Sequence, residues 1–305
     1  TKFLVARQFY KDVFDIEVNE KDPEKFCQVV KALEPTFGGI NLEDIKAPEC
    51  FFIEKYLKEN MNIPVFHDDQ HGTAIILGAA LLNALEVVNK KIDEIKVVFS
   101  GAGAAGTMCA LFINSLGVKD ENIFMFDKDG SLNGERKDLA EIQTKFIKYN
   151  NYKNLREALI NADVFIGLSA ANLLKPDMLK TMNENPIVFA MANPNPEISY
   201  NDAIEAREDV IMATGRSDFP NQVNNVLCFP FIFRGALDCQ ATQITEGMKF
   251  AAAKAIAKLA KEEVPDSVIE AYGGNSLKFG RTYLIPKPLD PRVVFYVAPA
   301  VVEAA

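Results

Sequence analysis

Apolar residues recur along the middle of the chain in short, nearly continuous runs. Ile95-Lys96-Val97-Val98-Phe99-Ser100 is the first. Ile123-Phe124-Met125-Phe126, Val164-Phe165-Ile166-Gly167, Ile187-Val188-Phe189-Ala190 and Val210-Ile211-Met212-Ala213 follow. Runs without alternation are the pattern of strands covered on both faces by helices. Helical patterns lie between them, as over Asn154 to Ala162 ahead of the third run. Strand and helix in alternation predict an α/β fold around a parallel sheet.

The flanks of this unit carry helical patterns as well. Pro23 to Leu33 places Phe26, Val29, Val30 and Leu33 on one face, and Asn41 to Glu59 brings a cluster of acids. Beyond the sheet, Met248, Ala252, Ala255, Ile256 and Leu259 fall at helical spacing, and Pro265 is expected to stop that helix. Ile285 to Pro291 is proline-rich and reads as an extended loop. The two flanks are expected to form one second domain, built from sequence before and after the sheet. The longest mostly apolar stretch, Ala74 to Val88, is interrupted by Asn83 and reads as too short to cross a bilayer, so no membrane partner is expected.

A chain of 305 residues suits two domains or one large discontinuous one, and 49% apolar residues supply a full core. The formal net charge of −9 repels phosphate backbones, which argues against nucleic acid as a partner. An anionic substrate would need a local cation to hold it. Cys27, Cys50, Cys109, Cys228 and Cys239 are scattered with no C-x-x-C, which predicts reduced thiols and a cytoplasmic setting. The chain starts at Thr1 rather than Met, and Val301 to Ala305 reads as the opening of an unfinished helix, so both ends are expected to be cut.

Gly101-Ala102-Gly103-Ala104-Ala105-Gly106 is a G-x-G-x-x-G that directly follows a predicted strand and opens a helix carrying Met108, Leu111 and Phe112. In that setting the first glycine permits the tight turn and the second lets the backbone approach a pyrophosphate. The third lets helix and strand pack closely, so the sheet is expected to be a Rossmann-type dinucleotide domain. Asp127 closes the next strand about 20 positions on, where an acid accepts ribose hydroxyls and repels a 2′-phosphate. NAD is thus favoured over NADP, although Lys128 beside it offers a phosphate a cation.

Glu43-Asp44 and Asp68-Asp69 place four carboxylates on two short segments, a donor set suited to Mg²⁺ or Mn²⁺. Adjacent residues on extended backbone point to opposite sides, so one of Asp68 and Asp69 is expected to ligate and the other to orient a base. Two blander readings stand beside this one: a solvated helix start for Glu43-Asp44, and an N-cap pair before a helix at Thr73 for Asp68-Asp69. His67 and His71, four apart, invite a zinc reading, but they sit in what reads as a loop entering a helix rather than on one helical face.

Taken together these residues resemble the malic enzyme family in its shorter bacterial-type branch. The similar blocks are Leu33 to Ile45, Phe66 to Ala74, Gly101 to Gly106, Ala192 to Glu197 and Ala213 to Asn225, in colinear order. The resemblance implies oxidative decarboxylation of L-malate to pyruvate and CO₂, with NAD or NADP and a divalent metal, by a homodimer. By position it implies Glu43, Asp44 and Asp69 as metal ligands and Asp68 as the acid close to the catalytic lysine. Ala102 to Ala105 would line the dinucleotide, and Asn193 and Asn225 would contact nicotinamide or substrate. It also implies a dinucleotide domain of residues 68–225 inserted into a second α/β domain formed by 1–67 and 226–305. The family's tyrosine acid and a substrate arginine fall before Thr1. Its lysine base falls on Thr1 by ungapped counting and on Lys2 with a one-residue gap. Two other readings stay open: a catalytically incomplete nucleotide- and metal-binding module, and a metal-independent NAD-dependent hydroxy-acid or amino-acid dehydrogenase.

Overall fold

The structure, a computed structural model, describes residues 12–149, 152–274 and 276–305. Lys2 lies outside them. The chain enters through α1 (Pro23–Ala32), β1 (Ile40–Leu42), α2 (Glu49–Asn60) and β2 (Val65–His67). A π-type turn, Asp68–Gly72, runs on into α3 (Thr73–Val88). The central unit follows as β3 (Val97–Ser100), α4 (Ala104–Leu116), β4 (Ile123–Asp127), β5 (Gly130–Ser131), α5 (Leu155–Leu159) and β6 (Val164–Gly167). It continues through α6 (Pro176–Leu179), β7 (Ile187–Ala190), α7 (Tyr200–Ala206) and β8 (Ile211–Thr214). Four helices close the chain: α8 (Phe229–Asp238), α9 (Glu246–Leu259), α10 (Asp266–Ala271) and α11 (Val293–Glu303).

The main sheet has the order β5-β4-β3-β6-β7-β8. β4, β3, β6, β7 and β8 are parallel and β5 is antiparallel to β4. The five apolar runs therefore form the parallel strands, and the α/β Rossmann-type expectation holds. After β3 the chain goes outward to β4 and then returns to β6 on the other side of β3. That reversal opens a crevice at the carboxyl ends of β3 and β6, the place where such sheets receive ligands. A separate two-stranded sheet pairs β1 with β2 in parallel.

Side chains capping the helix starts explain several boundaries. Asp22 accepts from the backbone N–H groups of Glu24 and Lys25, with Pro23 in the first turn of α1. Asn154, Ser199 and Thr245 cap α5, α7 and α9 in the same way. Two expectations are corrected. The helix α9 ends at Leu259, well before Pro265, which instead precedes α10. Val301 to Glu303 form the last turn of α11 rather than the opening of a new helix.

One face of the sheet is covered by α3, α4, α8, α9 and α11, which share a single apolar core with β3, β6 and β7. The opposite face carries Leu159, Met178, Leu179 and Ala203 from α5, α6 and α7. Cys27, Val30, Leu42, Ile53, Leu57, Met61 and Val65 form a further core under β1 and β2. All five cysteines are free thiols.

The apolar stretch Ala74 to Val88 proves longer as a helix than its sequence suggested. Continuous with the π-type turn, it spans Asp68–Val88, 21 residues that include an 18-residue window of mean hydropathy 1.6, enough by length and composition to cross a bilayer. Within the fold it is the central core helix, with 72% of that window buried. Asn83, the polar interruption, is itself buried and donates through Nδ2 to the carbonyls of Ala257 (2.8 Å) and Leu284 (2.7 Å). Ala257 lies in the last turn of α9, where helix carbonyls have no partner within the helix. Asn83→Leu should therefore destabilise the fold by about 2–4 kcal/mol, through two unmet buried acceptors. Urea denaturation should show a lower midpoint with an unchanged slope.

Candidate active-site cleft

The parallel register of the small sheet brings the acids together. Leu42 pairs with His67, so Glu43-Asp44 and Asp68-Asp69 leave the same ends of adjacent strands. Asp44 adopts φ 56°, a left-handed conformation that Asp tolerates better than most residues. Its backbone N–H donates to Asp69 Oδ2 at 2.9 Å. Asn41 Nδ2 donates to Glu43 Oε1 at 2.8 Å. Neither blander reading of these acids describes the structure. Glu43-Asp44 follow a strand, with α2 starting only at Glu49. Among the described residues, no side chain caps α3.

Asp68 and Asp69 do part, though on a turn rather than on extended backbone. Asp68 is fully buried, whereas Asp69 lines the cleft. Gly72 is needed beneath them: a Cβ there would lie 1.9 Å from Asp68 Oδ1 and 3.0 Å from the Asn225 Cβ. The missing side chain lets Asn225, which opens the single turn before α8, approach the acid turn.

His71 is no zinc ligand in this arrangement. Its Nε2 lies 2.7 Å from Glu54 Oε1 on α2, and its Nδ1 lies 3.1 Å from Lys249 Nζ on α9. An ammonium only donates, so Nδ1 accepts and Nε2 carries the proton toward Glu54. Burial pushes the imidazole down to about 4, keeping it neutral. Burial alone would raise Glu54, but His71 and Lys58 hold it well below the usual carboxylate range. This buried chain braces the acid turn between two helices. Sequence offered no signal for it, because its members come from three distant segments.

Three glycines after β3 show three separate requirements. Gly101 has φ +117° and no room for a Cβ against the Leu168 carbonyl, 2.6 Å away. Gly103 precedes α4, and a Cβ there would have nothing within 4 Å among the described residues. A Cβ on Gly106 would lie 2.0 Å from the Gly101 carbonyl oxygen. The loop is thus tight at both ends and open in the middle, where α4 begins at Ala104. Thr107 Oγ1 and Gln143 Nε2 both donate to the Ala102 carbonyl, at 3.0 and 2.5 Å.

Asp127 closes β4 as expected, but both of its oxygens are engaged. Arg136 donates from Nη1 to Oδ1 and from Nη2 to Oδ2, each at 2.9 Å. Lys128 turns instead to Asp129, 3.1 Å away. Arg136 was missed in the sequence, where only the neighbours of Asp127 were considered.

On the far side of the crevice, Glu197 is fully buried and accepts from the backbone N–H groups of Ser169 (3.0 Å) and Ala192 (3.1 Å). It ties together the loops after β6 and β7 and so positions Asn193. Burial pushes its carboxyl above the ordinary value despite these bonds.

A cleft of 1820 Å³ joins these parts. Glu43, Asp44, Asp69, Ala105, Asn193 and Asn225 all line it. Arg216, also unforeseen, reaches the same space while pairing with Asp218. The three carboxylates are the hard oxygen set that Mg²⁺ or Mn²⁺ takes. Among the described residues, no three such side chains already converge on one ligating point.

Fold and cleft together define a dinucleotide-binding α/β protein with an acid-lined pocket beside the nucleotide loop. A family model described as malic enzyme, NAD binding domain, matches residues 70–270, and one described as malic enzyme, N-terminal domain, matches residues 11–58. The NADP-dependent malic enzyme of Haemophilus influenzae is 57% identical over 297 residues, 96% of this chain and 39% of the relative. The NAD-dependent malic enzyme of Rhizobium meliloti is 54% identical over 295 residues, 96% of this chain and 38% of the relative. The crystal structure of the NAD-dependent malic enzyme from Thermotoga maritima matches with a TM-score of 0.88 and 43% identity, covering 100% of this chain and 77% of that one. The chain belongs to the malic enzyme family. It spans about two-fifths of the length of these two curated relatives.

Gly106→Ala should push α4 away from the Gly101 carbonyl and misplace the helix N-terminus. Overpacking of this kind costs about 1–3 kcal/mol of fold stability, and nucleotide affinity should fall in an equilibrium titration. Gly103→Ala meets no atom of the described residues, and a comparable loss there would reflect contact with the nucleotide itself.

Proposed function

We propose that this chain carries the nucleotide- and metal-binding core of an enzyme that oxidatively decarboxylates L-malate to pyruvate and CO₂. The observation that carries this reading is the cleft that Glu43, Asp44 and Asp69 line together with Ala105, Asn193 and Asn225. The names of the relatives support NAD or NADP as the oxidant. Asp127 favours NAD. When bound, the nucleotide supplies the hydride acceptor, and a dication supplies the positive charge that polarises a hydroxy acid's oxygen and tolerates its carboxylate.

In this reading Glu43, Asp44 and Asp69 hold Mg²⁺ or Mn²⁺ against the substrate. Their combined charge would otherwise repel a dicarboxylate. Asp68, buried behind them, orients the lysine base, for which Lys2 is the candidate in this chain. Asn193 and Asn225 orient nicotinamide and substrate, and Gly101 to Gly106 receive the pyrophosphate. The apolar core beneath β1 and β2 supports a metal-bearing unit ending near residue 67. The core that α8, α9 and α11 share with the sheet favours counting 226–305 with the nucleotide unit instead of with the first.

The test is reduced-nicotinamide formation from L-malate, followed by absorbance with Mn²⁺ and again with excess chelator. Turnover that disappears on chelation supports the reading. Nucleotide binding without any Mn²⁺-dependent turnover overturns it for this chain. Asp69→Ala should abolish the metal-dependent rate while leaving NAD affinity within about twofold, a change worth less than 0.5 kcal/mol. Equal loss of both would remove Asp69 from the ligand set.

A further inference from the structure

The adenosine end of the nucleotide site contains a clamp. Arg136 stands between two carboxylates. One edge of its guanidinium is bidentate to Asp127, and the other reaches Asp138 from Nε to Oδ1 (2.7 Å) and from Nη2 to Oδ2 (2.5 Å). A guanidinium has five N–H donors, and this geometry uses four of them. Asp127 Oδ1 also accepts from the Asp129 backbone N–H at 2.9 Å, so both its acceptor positions are filled and only Oδ2 retains one. A ribose thus finds a single free acceptor on Asp127, and a phosphate finds a single free donor on Arg136.

Solvent exposure divides the clamp into a fixed half and a replaceable half. The side chains of Arg136 and Asp127 are 12% and 22% exposed, whereas that of Asp138 is 60% exposed. Asp138 adds a negative charge to a cluster already holding Asp127 and Asp129, against the cations Arg136 and Lys128. Its bonds to Arg136 hold its carboxyl down at about 2, so it stays ionised at neutral pH.

Resting on the dinucleotide reading above, we propose that Asp138 is the cofactor-discriminating residue of this site. It occupies the Nε–Nη2 edge of Arg136, the pair of parallel donors that would otherwise grip a 2′-phosphate, and so favours NAD over NADP. The Nε–Nη2 edge is the geometry with which arginine binds phosphate bidentately. Releasing it converts a neutralised cation into a phosphate site without disturbing the bond to Asp127.

The test is equilibrium titration of the chain with NAD and with NADP, read by ligand-induced fluorescence or calorimetry. Asp138→Ala should tighten NADP binding at least tenfold relative to NAD, and Asp138→Glu should keep the parent ratio. Adding Arg136→Gln to Asp138→Ala should remove the gain. An unmoved ratio in Asp138→Ala overturns the proposal. So does an equal gain from Asp129→Ala, which removes a nearby charge while leaving both arginine edges engaged. If the parent binds neither nucleotide, the dinucleotide reading fails. If it binds NAD and the ratio stays fixed, only the role of Asp138 fails.

Discussion

The grouping of the cleft's carboxylates depends on two short parallel strands staying in register. Leu42 opposite His67 is what sets Glu43 and Asp44 beside Asp68 and Asp69. Because side chains alternate along a strand, a slip of one residue would turn these acids to the wrong faces. Two strands of three residues each are too few to hold a register alone. Their stability comes from the apolar cluster beneath them and from the bond between the Asp44 backbone and Asp69.

Buried polar contacts then fix the acid turn and the nucleotide crevice relative to the helices. His71 joins α2 to α9 through Glu54 and Lys249, Asn83 ties α3 to α9 and to the loop at Leu284, and Glu197 joins the loops after β6 and β7. Each side chain satisfies backbone or side-chain groups that would be costly to bury alone. Such contacts are more directional than apolar packing. They hold the loops around the cleft in one arrangement where a core of aliphatic groups would permit several.

The glycine loop shows how one motif meets several demands. Gly101 and Gly106 are required by the protein's own backbone, which leaves no space for a methyl group at either position. Gly103 is crowded by nothing among the described residues. Its open surroundings are the structural counterpart of a ligand that comes close to the main chain.

Much of the fold was legible along the chain. The five parallel strands, the glycine turn, the acid pairs and the helical pattern after Asn154 all depend on residues within a few positions of one another. Local periodicity and turn chemistry therefore reveal them. Helix ends were less legible, as at Pro265 and Val301, because a helix stops where its packing stops as well as where a proline stands. The length of the apolar helix was hidden too, since a π-type turn carries polar residues in continuity with it. Arg136 on Asp127, Arg216 in the cleft and the Glu54–His71–Lys249 chain could emerge only from the folded molecule. An ionic or hydrogen-bonded pair is specified by distance in space, and spacing along the sequence is silent about it once the partners belong to different elements. The sequence by itself thus determined which chemistry the chain carries, and tertiary structure decided which of those groups meet.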